Sequence, residues 1–306
     1  MSVKGLVTLD TKSSILLENL STRILEGKRE SCDIKFCDFD GVHFKISVDD
    51  ETPNIVKVCM ATPDWVNLSK YGTKSKIAKQ YPGMETDPDE GYDMALEFDC
   101  DSLENPAKTL EDVANLRMHI LTAPIDAAMD SLVNGSGGNG EIQQVNYRND
   151  GKMFVIPKAD RVVVIISIDF ADETDRSISK VFLQEFVETQ RTVRNATTPT
   201  VTFGKNPPTE LSELGLGASA NTVGYVLFSF LKSGMTDTSR ARAVSLLSQF
   251  RVYLHYHIKA SKTYLHMRMR KRVNMWMQVL NRAKPEYKDE TKAGTKTASG
   301  KTFIKK

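Results

Sequence analysis

The chain has 306 residues, of which 40% are hydrophobic and 26% are charged, and its formal net charge is +2. This composition is typical of a globular protein with one large or two ordinary domains. The longest apolar run, VVVIISI at 162–168, is far shorter than the roughly 20 residues of a membrane span. The start of the chain, MSVKGLVTLDTK, shows no secretory signal, so we expect a cytoplasmic protein without a membrane span.

The cysteines indicate the same compartment. Cys32, Cys37, Cys59 and Cys100 all lie in the first third of the chain, and no two of them form a CxxC pair. Free thiols in a reducing cytosol therefore fit better than disulfides or a zinc site.

The first half of the chain is predicted to contain helices combined with antiparallel strands. The predicted elements are a helix at 13–26, a hairpin at 32–47 around Asp40-Gly41, a strand at 54–61, a helix at 64–80, a strand at 91–99 and a helix at 106–133. A glycine-rich linker, NGSGGNG at 134–140, then separates this half from the next.

The second half repeats this pattern. A hairpin around Asp150-Gly151, the strand DRVVVIISIDF, a helix at 177–191 and the strand GYVLFSFL at 224–231 precede a final helix from 237 onward. We therefore predict an α+β fold of two related α/β domains, each an antiparallel sheet flanked by helices, with a long C-terminal helix. The predicted divisions are 1–136, 137–236, the helix at 237–284, which belongs to the second domain, and a tail at 285–306.

The last helix is predicted to be unusually long. Asp237 or Thr238 can cap its start, and neither proline nor glycine interrupts it before Pro285. Such a helix would span about 70 Å, whereas a 150-residue domain is only about 40 Å across. The helix must therefore cross both domains or extend beyond them to meet another molecule.

The charge of this helix contrasts with that of the remaining chain. Eleven basic residues and no Asp or Glu lie between Thr238 and Pro285, which leaves 30 basic against 39 acidic residues elsewhere. Six residues follow one another at steps of three or four and form a basic stripe of about 28 Å: Arg251, His255, Lys259, Lys262, His266 and Arg270. This asymmetry indicates an acidic partner, although a solvated helix face is the alternative.

The histidines of this helix do not predict a metal site. His255 and His257 fall on nearly opposite sides of the helix, and His255 and His266 are about 16 Å apart along the axis. Metal ligands, in contrast, all lie about 2 Å from one ion. We expect no metal and no cofactor.

Two further faces of the helix are apolar. One contains Phe250, Leu254, Ile258 and Leu265, and the other contains Tyr253, Tyr256, Ala260, Tyr264 and Met267. Because a helix that is apolar on two sides needs two surfaces to bury against, we expect one face to pack on the chain itself and the other on an obligate partner, another helix.

Several segments resemble one protein family, subunit 2 of the actin-related protein 2/3 complex. They are ILLENLSTRI (15–24), DFDGVHFKIS (38–47), GKMFVIPKADRV (151–162), KVFLQEF (180–186), FRVYLHYHIKASKTYLHMRMR (250–270), VLNRAKPE (279–286) and SGKTF (299–303). The resemblance follows the chain in order from residue 15 to about residue 303. One departure is Gln278, where the family tends to have a lysine.

The resemblance implies a subunit without catalytic chemistry. It implies an obligate helix-to-helix pairing with subunit 4, assembly with the two actin-related subunits and the other subunits, and docking on the side of a pre-existing actin filament when a branch is nucleated. The candidates for filament or subunit contact are Phe250, Arg251, Tyr253, His255, Lys259, Lys262, Tyr264, His266, Arg268, Arg270, Lys271, Arg272, Trp276 and Arg282.

One enzyme alternative rests on FCDFDGV at 36–42, which is similar to the DxDG motif of haloacid-dehalogenase phosphatases. In such an enzyme Asp38 would be the nucleophile and Asp40 a general acid or base, with Mg²⁺ between them. The preceding segment CDIKFC is too polar for a buried parallel strand, and Asp40-Gly41 already has a structural role as a hairpin turn.

Two binding alternatives use the basic helix. A nucleic-acid binder would track phosphates with the stripe, but two apolar helix faces and an acidic body argue against it. The segment RKRVNMWMQVLNRAK at 270–284 also resembles a calmodulin target, although the need to bury Trp276 and Val279 disfavours a free helix.

Overall fold

The computed structural model describes residues 10–135, 140–148, 151–192, 199–216, 221–283, 295–296 and 302–303. Most of the predicted linker at 134–140, the residue Asp150 of the second predicted turn and most of the predicted tail at 285–306 lie outside these residues. The chain forms two compact units, Met1–Ala260 and Ser261–Lys306. The predicted domain boundaries at 136 and 236 stay predictions.

The first five strands form one antiparallel sheet in the order β1-β2-β3-β5-β4. The elements are α1 (Ser14–Ile24), β1 (Cys32–Cys37), β2 (His43–Val48), β3 (Ile55–Ala61), α2 (Trp65–Lys70), α3 (Thr73–Gln80), β4 (Glu85–Thr86), β5 (Met94–Asp99), α4 (Pro106–Ala114), α5 (Leu116–Leu121) and α6 (Ala123–Val133). In β2, Phe44, Ile46 and Val48 are buried and alternate with more exposed residues, as expected for a strand with one face on the core.

The next five strands form a second antiparallel sheet in the order β6-β7-β8-β10-β9. The elements are β6 (Gln143–Arg148), β7 (Gly151–Pro157), β8 (Arg161–Asp169), α7 (Glu173–Thr192), β9 (Thr200–Gly204), α8 (Thr209–Ser212), β10 (Thr222–Leu231) and α9 (Asp237–Ala283). Every residue of β8 after Arg161 is buried, because this central strand has apolar side chains against it on both faces.

The two sheets have the same strand order. In each, the first three strands lie side by side in chain order, the fifth strand lies beside the third, and the fourth strand lies at the edge beside the fifth. This shared topology confirms the predicted α+β fold of two antiparallel sheets flanked by helices, followed by a long helix. The sheets are not isolated from each other, because one continuous hydrophobic core includes residues of both, such as Leu96 and Val164.

Two of the long helices that the sequence predicted are not continuous in the structure. The helix predicted at 64–80 is divided into α2 and α3 at Gly72, whose φ of +92° lies in the left-handed region. A Cβ atom at this glycine would lie 2.7 Å from the Cβ of Ala127, so the break lets α6 approach closely. The helix predicted at 106–133 is three helices, separated at Asn115 and Thr122.

The start of α9 also differs from the expectation. Thr236, rather than Asp237 or Thr238, is the capping residue, because its Oγ1 accepts a hydrogen bond from the backbone N–H of Ser239 at 3.2 Å. The Ser239 hydroxyl in turn accepts from the N–H of Thr236 at 2.7 Å. This reciprocal pair is a capping box built from two hydroxyl residues.

The second compact unit contains the C-terminal part of α9 and a short hairpin. Its strands are β11 (Thr295–Lys296) and β12 (Thr302–Phe303), which pair antiparallel.

Candidate interaction surface

The part of α9 that belongs to the first compact unit has one deeply buried face. The buried side chains recur at helical spacing and are Ala243, Val244, Leu247, Phe250, Leu254 and Ile258. All of them except Val244 are part of the continuous core. We call residues 237–260 the proximal segment of α9.

Phe250 lies at the centre of this buried face. Its ring contacts Phe228 of β10 edge-on, with centroids 5.0 Å apart, and Phe186 of α7 at 5.6 Å. Only 1% of Phe250 is exposed. Sequence reasoning grouped it with the candidates for filament or subunit contact, but in this chain it packs in the core.

A second group of aromatic rings flanks Phe250. Tyr253 lies 4.3 Å from the ring of His257, and His257 stacks on Phe182 of α7 with centroids 5.7 Å apart. Tyr253 is partly buried, so it packs against α7 and still reaches the surface.

Acidic residues of the helical layer neutralise the first arginine of α9. The guanidinium of Arg240 donates to Asp126 at 3.0 Å and also pairs with Asp130 of α6. Asp126 receives a second cation, since Nζ of Lys76 lies 2.6 Å from its other oxygen. This cluster joins α3, α6 and α9.

The first three residues of the predicted basic stripe also contact other parts of the chain. Lys259 pairs with Asp175 of α7, a carboxylate that is 1% exposed. The ring of His255 lies against Phe170 at 4.6 Å. The guanidinium of Arg251 covers the backbone of Gly151, where a Cβ atom would lie 2.4 Å from Nη1.

The sequence did not reveal these internal partners. The segment itself contains no acid between Thr238 and Pro285, yet Asp126 and Asp175 reach it from 114 and 84 residues away. The expectation that the whole stripe faces an external acidic partner is therefore wrong for Lys259, because the protein supplies that carboxylate itself.

The remaining part of α9 is described by itself, because it belongs to the second compact unit. We call residues 261–283 the distal segment. All of its side chains from Thr263 onward are exposed, whereas Ser261 and Lys262 are half-buried. The exposed set includes the predicted contact residues Tyr264, His266, Arg268, Arg270, Lys271, Arg272, Trp276 and Arg282.

Exposed apolar residues occur all round the distal segment, and four of them form one narrow stripe. With about 100° of rotation per residue, Leu265, Met269, Trp276 and Leu280 fall within about 60° of one another. We call these four residues the apolar stripe. Trp276 is 70% exposed and Met269 is 63% exposed, so the stripe is an uncovered hydrophobic surface of this chain.

Arg272 lies only about 50° from the centre of the apolar stripe, whereas a second group of cations is centred on the side about 120° from it. Arg268, Lys271 and Arg282 share this side, and Arg268 lies over the ring of Tyr264 at 5.5 Å. Within the described part of the chain, Lys271 and Arg282 have no ion-pair partner. The distal segment thus presents an apolar stripe and, on another side, three cations with the exposed Met267 and Met275 among them.

The candidate phosphatase residues, Asp38 and Asp40, lie at the turn between β1 and β2, beside an arginine. Asp40 has a φ of +61° in the turn between β1 and β2. Nε of Arg117 lies 3.5 Å from Asp38, and its Nη1 lies 3.3 Å from Asp40. Because a buried arginine of α5 supplies the countercharge, and because the strands are antiparallel, the DxDG interpretation is not supported.

A buried histidine lies in a cleft of about 450 Å³ beside Arg240 and Asp126. The hydroxyl of Tyr81 is 2.7 Å from the carbonyl of Asp112 and 2.7 Å from Nδ1 of His119. Since a carbonyl only accepts hydrogen bonds, the hydroxyl donates to Asp112, and Nδ1–H of His119 donates to the hydroxyl. Burial, together with the nearby charge of Lys76, lowers the pKa of His119 to about 4.

The described residues lack two further features. They contain no group of three His, Cys, Asp or Glu side chains that could hold a metal ion. They also contain no helix that is long and apolar enough to cross a membrane.

These observations define a class of protein. Its distal helical segment exposes an apolar stripe together with several cations, which is the anatomy of a protein–protein interaction surface. The chain is therefore an assembly or binding protein built on two antiparallel sheets.

Comparison with known proteins gives the family. Residues 58–287 match the sequence profile described as "Arp2/3 complex, 34 kD subunit p34-Arc". "Actin-related protein 2/3 complex subunit 2" of Schizosaccharomyces pombe is 31% identical over 98% of this chain and 100% of that protein. The protein of the same name from Dictyostelium discoideum is 34% identical over 97% of this chain and 99% of that protein. The chain belongs to this family, which is one of structural, non-enzymatic subunits.

Proposed function

We propose that the chain is a core subunit of the actin-related protein 2/3 complex and binds the side of a pre-existing actin filament when a branch is nucleated. It works in the cytoplasm, at the actin cytoskeleton, together with subunit 4, the two actin-related subunits and the other subunits. The single observation that carries this proposal is the exposed distal segment with its apolar stripe and its cations.

The apolar stripe suits a partner helix. Leu265, Met269, Trp276 and Leu280 follow one another at steps of four, seven and four, the spacing of a seam between two helices. A lone chain would leave this surface in water. We assign the stripe to subunit 4.

The basic side suits the filament. Arg268 and Lys271 lie on the side away from the stripe, so a partner helix seated on the stripe would leave them accessible. Actin is acidic, and complementary charges steer association and add affinity when several act together. We assign Arg268 and Lys271 to filament binding.

The test of filament binding is a charge reversal within the assembled complex. Arg268→Glu combined with Lys271→Glu should weaken co-sedimentation with actin filaments at least tenfold. Exposed ion pairs are individually weak, but two reversals remove attraction and add repulsion. Binding of the wild-type complex should also weaken as the salt concentration rises.

The matched control is Lys70→Glu combined with Lys74→Glu. These lysines are also exposed and the net charge changes equally, so filament binding should stay within twofold of wild type. Unchanged binding of the Arg268 and Lys271 variant would contradict the assignment to the filament. Loss of subunit 4 from that variant would show that these cations serve an internal interface.

The test of the apolar stripe is Leu265→Ser combined with Trp276→Ser. Because both side chains are exposed in this chain, its own fold should persist, whereas co-purification with subunit 4 should be lost. Val181→Ser on α7, where Val181 is 61% exposed, is the control and should co-purify normally. Equal co-purification of both variants would contradict the assignment of the apolar stripe to subunit 4.

A further inference from the structure

The edge strands of the two sheets differ in how they are protected. Strand β4 has only two residues and pairs with Leu96 and Ala95 of β5. The edge of β6 is occupied at Asn146, whose N–H donates to the carboxylate of Asp64 at 2.6 Å. Strand β9 has five residues and packs against α7. Short edges and side chains placed on an edge are usual ways to prevent strand addition.

Strand β1 has neither of these protections. It has six residues and, among the described parts of the chain, pairs with β2 alone, in a register that matches Phe36 with Phe44 and Ile34 with Ile46. The N–H of Asp38 donates to the carbonyl of Val42 at 2.8 Å. Since bonded pairs alternate along an antiparallel ladder, Phe36, Ile34 and Cys32 bond to β2.

The intervening residues of β1 therefore point their backbone groups to the open side. They are Asp33, Lys35 and Cys37, and all three are exposed. No residue in the described part of the chain hydrogen-bonds to their N–H or carbonyl groups. Three consecutive outward pairs of donor and acceptor form a complete template for one further strand.

The side chains of β1 extend this template. Cys32, Ile34 and Phe36 are half-buried and lie against the core, and Phe36 stacks on Phe44 at 5.3 Å. An added strand would cover this row. On the opposite face, Lys45 lies 3.8 Å from Asp33, whereas Lys35 has no ion-pair partner among the described residues.

We propose that β1 accepts an extended segment of another subunit of the complex as a sixth strand of the first sheet. The segment alternates apolar and polar residues and carries a carboxylate beside Lys35. This inference rests on the proposed function, because it draws the strand from within the assembly. A second copy of the chain is a poorer occupant, because this six-residue edge alone would bury far less than the roughly 1,200 Å² of a stable interface.

The first test is residue-resolved amide hydrogen exchange of the assembled complex. The amides of Asp33, Lys35 and Cys37 should exchange within tenfold of those of Ile34 and Phe36, which report opening of the β1–β2 hairpin itself. Faster exchange of the three outward amides would overturn the proposal. This measurement needs no variant.

The second test compares Lys35→Pro with Lys35→Gln in competition with the wild-type chain for entry into the complex. Proline at position 35 removes only an outward N–H and blocks strand addition, so incorporation should drop at least fiftyfold. Glutamine keeps the backbone and should lower incorporation at most fivefold. Equal incorporation of the two variants would contradict the proposal.

Three further results have defined meanings. If Lys35→Pro fails to fold, as judged by its circular dichroism, the exchange data on the wild-type complex decide. If the chain forms a dimer that Lys35→Pro abolishes, the occupant is a second copy and the proposal is wrong. If the wild-type chain does not enter the complex, the proposed function itself fails, and the assignment of a fellow subunit to β1 fails with it.

Discussion

The proximal and distal segments of α9 are one continuous helix with two different environments. In the proximal segment, Phe250 and Leu254 are buried, and Arg240 and Lys259 pair with acids of α6 and α7. In the distal segment, every side chain from Thr263 to Ala283 is exposed. The same residue types, aromatic, aliphatic and basic, serve the fold in one segment and remain available for partners in the other.

This difference shows that residue type alone does not separate a core from an interface. Phe250 and Trp276 are both large aromatic residues on one helix, yet one is 1% and the other 70% exposed. The acids that neutralise the proximal cations come from the first compact unit itself. Among the described residues, the distal cations Lys271 and Arg282 have no acidic partner.

The largest expected effect comes from removing the aromatic centre of the proximal segment. Phe250→Ala should lower the free energy of unfolding by about 3–5 kcal/mol, because it leaves a cavity between β10 and α7. Trp276→Ala should change the stability of the chain by less than about 0.5 kcal/mol. Chemical denaturation of both variants measures the contrast, and similar losses for the two would break the comparison.

The second prediction concerns pH and the cleft beside Arg240. The pKa of His119 is about 4 in the folded chain but about 6.5 in an unfolded one. The unfolded state therefore binds a proton first as the pH falls. This group's contribution is complete above pH 6.5 and is lost progressively toward pH 4, by up to about 3 kcal/mol.

Denaturation of wild type and His119→Gln across this pH range measures the effect. The variant should lose less stability than wild type between pH 6.5 and 4, and His266→Gln of the distal segment is the matched control. The same pH dependence in His119→Gln and wild type would show that His119 does not carry it.

The smallest of the three effects comes from the charge cluster. Arg240→Met should cost about 2 kcal/mol, because Asp126, which is buried, would keep only Lys76 as a counterion. Arg242→Met, two residues further along and exposed, should be neutral within about 0.5 kcal/mol. Thermal unfolding distinguishes the two variants. Equal melting temperatures would show that the charge cluster of Arg240 does not stabilise the packing of the proximal segment.

Much of the fold was predictable because its signals are local. The run without proline or glycine predicted α9 up to Pro285, and the alternation around Asp40-Gly41 predicted the pairing of β1 with β2. The break at Gly72 was not predicted, because a glycine within a helical pattern is often tolerated. Only the close approach of Ala127 shows why the chain turns there.

The candidate surface was predictable in part. The basic and apolar composition of α9 pointed to an interaction surface, but the sequence could not divide the helix into two segments. That division depends on Asp126, Asp130 and Asp175, which are distant along the chain and reach α9 only through the tertiary fold. The open edge of β1 was equally hidden, because strand order is a non-local property.

The burial of Phe250, Leu254 and Ile258 in the continuous core has a consequence for biosynthesis. These residues are translated after Phe186 and Phe228, whose rings contact Phe250. The nascent polypeptide must therefore hold those rings unburied until α9 has left the ribosome. A chaperone that recognises apolar surface should bind released chains that end before residue 243 much more strongly than chains in which α9 is complete.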